Sequence, residues 1–141
     1  MLKSDLKLSH PELADGRWAK MPFSLQMGNI GSEVSRAINS KKRGNTERME
    51  HAAARAIELF ELSIDCNSKD SAKLKELCRG KEEFCDYIFG DNTFNTDPAK
   101  MARYYDQFVS LARWNYFFPA KVLILENLTD STALRKASSL P

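Results

Sequence analysis

The residues best able to do chemistry in this chain are a cluster of cations, Arg36, Lys41, Lys42, Arg43, Arg48 and Arg55, gathered in one short stretch. Side chains of this kind at this density can track a phosphate backbone. The same basic face can instead meet the acidic face of a second copy in a head-to-tail ring. It can also be a solvated turn with no partner. Few other groups compete with it. His10 and His51 are the only histidines, and neither has a Glu three residues before it, as the paired-metal bundles require. Glu47 and His51 stand at i, i+4, but one such pair does not make a metal site. Cys66, Cys78 and Cys85 have no evident histidine partner, and no nucleophile elbow or phosphate-cradling loop occurs. Gly28-Asn29-Ile30-Gly31 is a small-residue helical segment, because no strand precedes it. The cluster Glu82, Glu83 and Asp86 reads as a solvated helix face. No catalytic residue, metal, cofactor or small-molecule substrate is expected, and the chain is not expected to be an enzyme.

The elements that must position the cations are helical. Met27, Ile30, Val34, Ala37 and Ile38 recur at spacings of three and four, one apolar stripe of a helix opening near Pro22. Gly28 and Gly31 each cost about 0.8–1 kcal/mol in a helix interior relative to alanine, which predicts another backbone close by. Lys41-Lys42-Arg43-Gly44-Asn45 ends this helix, with cations at its C-terminus and glycine for the left-handed cap. Asn45 or Thr46 caps a second helix carrying Met49, Ala53, Ala56, Phe60 and Ile64. After a polar break from Asp65 to Asp70, a third helix carries Leu74, Leu77, Cys78, Phe84, Cys85 and Ile88 and stops at Gly90-Asp91-Asn92. Asp97-Pro98 is the strongest start signal, an N-cap carboxylate followed by proline at the first helical position. Met101, Tyr104, Tyr105, Phe108, Leu111 and Ala112 form the stripe of a fourth helix, which Pro119 should end.

This pattern predicts an all-α protein, an antiparallel up-down-up-down four-helix bundle over residues 22–118. Residues 1–21 read as an irregular N-terminal arm with a helical turn near Pro11 to Ala14, anchored by Trp18. Residues 119–141 form a C-terminal tail in which Lys121 to Leu125 fits either a strand or a helical turn.

Charge is divided along the chain. Six basic residues face three acidic ones from Met21 to Arg55, five face ten from Ala56 to Asp97, and six face three from Pro98 onward. The fourth-helix stripe is wider than the roughly 100° arc that one core requires. Tyr105 and Val109 extend one side of it, Trp114 lies outside it, and Leu62 is similarly displaced on the second helix. These four residues are the expected subunit interface of a homo-oligomer, with cover by the arm or tail as the other reading.

An apolar fraction of 43% and a charged fraction of 28% belong to a folded globular domain rather than a disordered chain. No stretch approaches the roughly 18 uncharged apolar residues of a spanning helix, and residues 1–20 lack a signal-peptide pattern. No membrane association is expected. Three cysteines without CxxC spacing read as free, buried thiols of a cytoplasmic protein.

Arg43-Gly44-Asn45 followed by Met49, Ala53, Ala56 and Phe60 resembles the basic glycine turn and apolar spacing of a family of small bacterial four-helix bundles. That family includes proteins encoded in intervening sequences of large-subunit ribosomal RNA and the accessory variability proteins of diversity-generating retroelements. Ser35-Arg36-Ala37-Ile38-Asn39-Ser40 occupies the place of the family's Ser-Asn-Ile-Ala-Glu-Gly run, with Asn39 where an acid is usual and Ser40 where glycine is usual. The likeness spans residues 25–64. It implies a ring-shaped homo-oligomer, a pentamer of bundles, without enzymatic activity. For the retroelement branch it also implies binding to nucleic acid and a reverse transcriptase, although that branch is far more basic than this chain at +2. The expected function is therefore a self-assembling, non-enzymatic interaction module, with a nucleic-acid-binding accessory protein as the alternative.

Overall fold

The computed structural model of the chain describes residues 16–117, with side chains through residue 114. The described residues are all-helical and contain no strand: a short turn α1 (Trp18–Lys20) and four long helices, α2 (Phe23–Lys42), α3 (Thr46–Cys66), α4 (Ser71–Phe89) and α5 (Pro98–Phe117). The chain divides into two units, Met1–Val109 and Ser110–Pro141, so the boundary falls inside α5. The expected turn near Pro11 to Ala14 and the whole of the expected tail lie outside the described residues.

Local signals set the helix ends. The Gly44 N–H donates to Lys41 and the Asn45 N–H to Ser40, with Gly44 at φ +71°. This pair of bonds is a Schellman closure, which satisfies carbonyls that α2 would otherwise leave open. Asn45 then caps α3, its side chain accepting from the Arg48 N–H at 3.1 Å. Asp70 caps α4 in the same way through the Lys73 N–H. Asp97 accepts from the Ala99 N–H at 2.9 Å as α5 opens at Pro98.

The apolar stripe of α2 is wholly inside, with Met27, Ile30, Val34 and Ala37 fully buried. The glycine in its middle has a steric reason. A Cβ built on Gly31 would stand 2.4 Å from the Tyr105 Cβ, and one on Gly28 would stand 3.4 Å from the Val109 Cγ2. The close backbone approach expected from those glycines is the approach of α5. Alanines 52, 53 and 56 play a related part on α3, leaving room for Leu59 and Phe60 to fill the centre. Phe60 stacks against Phe84 of α4 and Tyr105 of α5 with ring centroids 6.2 and 6.3 Å apart. That spacing suits tilted and edge-on aromatic pairs.

Side-chain contacts tie the helices to one another. Gln26 at the start of α2 meets Asn67 just past the end of α3, and Glu33 meets Arg55. Lys81 of α4 meets Glu61 of α3, and Glu76 of α4 meets Tyr104 of α5. Lys41 at the end of α2 instead reaches the carbonyls at the end of α4. Trp18 belongs to this core. It is 2% exposed, its Nε1–H donates to Ser63 Oγ at 2.8 Å, and the Gln26 amide holds its carbonyl.

Several expectations are corrected here. Tyr105 is only 1% exposed and is enclosed by Gly31, Gly80 and Phe60, so it is a core residue rather than part of a subunit interface. The reason is that α2 presents a glycine where another residue would have pushed the ring out. Leu62 and Val109 are half-buried, Leu62 packing on the core and Val109 lying over Gly28. The thiols of Cys66 and Cys78 are free but exposed, and Cys85 is half-buried, because α3 and α4 turn these positions away from the centre. No described helix is long and apolar enough to cross a membrane.

The acidic face of α4 is also not simply solvated. Asp86 accepts from the Thr93 hydroxyl at 2.6 Å and from the N–H groups of Thr93 and Phe94 at 3.1 Å, organising the loop into α5. Glu83 accepts from the Thr96 hydroxyl at 3.0 Å. Asn92 and Asn95 take positive φ in this loop, a conformation asparagine tolerates better than most residues.

Candidate nucleic-acid interface

The last turns of α2 and the first turns of α3 lie side by side, joined by the short Gly44 turn. Arg36, Asn39 and Ser40 of α2 and Arg43, its C-cap, follow one another at offsets of three, four and seven. On α3, Arg48, His51, Ala52 and Arg55 do the same. Each set is one face of its helix, and together they line an open groove of about 420 Å³. Four of the six expected cations are thus brought to one place.

The other two are not. The Lys41 ammonium donates to the carbonyls of Tyr87 and Ile88 and stands 4.5 Å from the centre of the Tyr87 ring. It is a cation set against the carbonyl end of α4, where the helix dipole favours it. Lys42 is exposed but does not line the groove.

A buried acid underlies the groove. Glu33 is 6% exposed; its Oε1 accepts from Arg36 Nη1 at 2.8 Å and its Oε2 from Arg55 Nε at 3.1 Å. One carboxylate therefore fixes two guanidinium groups on neighbouring helices and offsets part of their charge. Arg43 and Arg48 are exposed, and no described carboxylate lies within ion-pair distance of either. The groove thus has two anchored arginines and two without an ion-pair partner among the described residues.

Guanidinium forks match phosphate oxygens bidentately, and the Asn39 amide and Ser40 hydroxyl add neutral donors. Ala52 and His51 complete the lining, which holds no Phe, Tyr or Trp. Such a surface grips a backbone, and His51 is the one ring it offers a base. Sequence reasoning found the cations and missed Glu33, Asn39, Ser40 and His51 as their neighbours. The Glu33-Arg36 spacing of i, i+3 was the one available signal.

Elsewhere the chemistry is quiet. Burial pushes the Cys85 thiol above its ordinary value, with Lys81 opposing and Glu61 adding to the effect. A raised thiol is a poor nucleophile at neutral pH. No group of three or more His, Cys, Asp or Glu among the described residues could hold a metal ion. No family model matches this chain, and neither a curated protein nor a solved structure does so.

Proposed function

We propose that this chain is a non-enzymatic helical module that binds the phosphate backbone of a nucleic acid in the α2–α3 groove. The observation that carries this reading is the convergence of Arg36, Arg43, Arg48 and Arg55 on one open surface. A lining of cations and small polar groups without Phe, Tyr or Trp favours backbone contact with little base preference. Helix-pair contacts support an antiparallel up-down-up-down four-helix bundle as the scaffold. Exposed free thiols at Cys66 and Cys78 suit the reducing cytoplasm.

The test is binding of a labelled RNA and a DNA duplex at increasing salt. With two to four phosphates neutralised, log affinity for the duplex should fall with log salt at a slope of about −2 to −4. The double substitution Arg43→Ala, Arg48→Ala should reduce that slope by about 2. No binding at low salt removes the reading.

Self-assembly is a second reading, favoured by Leu111 and Trp114, which are 40% and 42% exposed on α5. Tryptophan is enriched at interfaces. A ring of copies, five if the family resemblance holds, is the proposed form. A monomeric mass by light scattering at micromolar concentration removes it.

A further inference from the structure

A second cavity, of about 380 Å³, opens where α4, the loop of residues 90–97 and the first turns of α5 meet. Its size falls within the roughly 300–1,000 Å³ of small-ligand sites. Tyr105 lines it from the core side, and its hydroxyl lies so near Gly80 that a Cβ there would stand 2.7 Å from the oxygen. No described residue forms a hydrogen bond with that hydroxyl, although the side chain is 1% exposed. Buried hydroxyls are seldom left unpaired, so this one calls for an explanation.

Two carboxylates stand beside it. Glu76 and Glu83 flank Gly80 on one face of α4 at i−4 and i+3, and both line the cavity. Each commits one oxygen to the protein: Glu76 Oε1 accepts from the Tyr104 hydroxyl and Glu83 Oε1 from the Thr96 hydroxyl. Their Oε2 atoms have no hydrogen-bond partner among the described residues. Burial above all, and then Glu83 and Glu76, push the Tyr105 hydroxyl well above the ordinary phenol range, which keeps it neutral and able to accept. The Phe94 ring, 62% exposed, and the exposed Arg79 and Lys100 complete the lining.

We propose that this cavity receives the primary ammonium of a small-molecule amine, held by Glu76 Oε2, Glu83 Oε2 and the Tyr105 hydroxyl. A primary ammonium carries three donors and no acceptor, which suits two carboxylate oxygens and a lone pair of the neutral Tyr105 phenol. An anionic group is repelled by the two carboxylates, and a quaternary ammonium has no N–H to give. Arg79 and Lys100 restrict the rest of the ligand to a neutral or anionic body. The exposed Phe94 ring offers an apolar surface for its carbon stem.

The test is a titration of the full chain with n-butylammonium, followed by amide NMR shifts. Saturable shifts at Gly80 and Thr96 are expected, with a Kd in the millimolar range, while tetramethylammonium and butyrate leave them unmoved. Glu83→Gln should weaken binding about tenfold or more, because a charge-assisted bond is lost. Tyr105→Phe should weaken it about threefold to tenfold without lowering Tm, since the hydroxyl it removes has no hydrogen-bond partner among the described residues. Equal shifts with tetramethylammonium, binding indifferent to both substitutions, or no saturable shift at tens of millimolar would each overturn the proposal.

Discussion

Glu33 and Arg55 tie α2 to α3 by a bond from the Arg55 Nε to the Glu33 Oε2 at 3.1 Å, while the other oxygen of the same carboxylate takes Arg36. This places a nearly buried acid beneath a surface of arginines. Glu33→Gln should lower stability by about 1–3 kcal/mol in urea denaturation, mostly through Arg55. Arg36 is largely solvated and adds little. The same substitution releases two guanidinium groups, so it should tighten RNA binding severalfold and steepen its salt dependence. A variant less stable yet tighter in binding is the signature that separates an anchor from a ligand-contacting residue.

Gly31 sits against the backbone and Cβ of Tyr105. Gly31→Ala gains roughly 1 kcal/mol of helix propensity, but its methyl group cannot fit without moving α5 or α2. Overpacking of this kind costs about 1–3 kcal/mol. We expect a net loss of Tm and altered near-UV aromatic dichroism, because the Tyr105–Phe60 contact must shift.

Ser63 links the entry segment to α3. Its hydroxyl accepts from the Trp18 indole at 2.8 Å and donates to the Leu59 carbonyl at 2.8 Å. Ser63→Ala leaves a buried indole N–H unpaired and should cost about 1–3 kcal/mol. Chemical denaturation followed by far-UV dichroism measures it. A change under ~0.5 kcal/mol would show that Trp18 is held by packing alone.

Asp86 is held below the ordinary aspartate range, chiefly by the Thr93 hydroxyl, against an opposing effect of burial, with the amides of Phe94 and Thr93 adding. The folded chain therefore prefers the carboxylate, and the unfolded chain takes up the proton more readily. The resulting stability is fully present above the ordinary value of about 3.9 and is lost as pH falls through the lower, folded value. Thr93→Val should melt below the parent at neutral pH. That difference should shrink below about pH 4, as thermal melts across the acid range would reveal.

What could be read from the chain alone was whatever is decided within a turn or two of helix. The Schellman glycine at Gly44, the Asn45, Asp70 and Asp97 caps and the stripe from Met27 to Ile38 all depend on neighbours only a few residues away. Residue type and spacing therefore specify them. The cations of the groove were legible as a cluster for the same reason. Which of them share a surface was not, because that depends on the register between α2 and α3. Register sent Lys41 to the carbonyl end of α4 and brought Arg55 to Glu33. Tyr105 shows the same limit more sharply. Its place on the wide stripe of α5 suits a core or an interface equally well, and only the glycine facing it from α2 makes room for its ring inside. The cavity beside its hydroxyl arises from residues of α4 and α5 that periodicity cannot pair. Helices follow from local physics; the surfaces and cavities they make follow from how their faces meet.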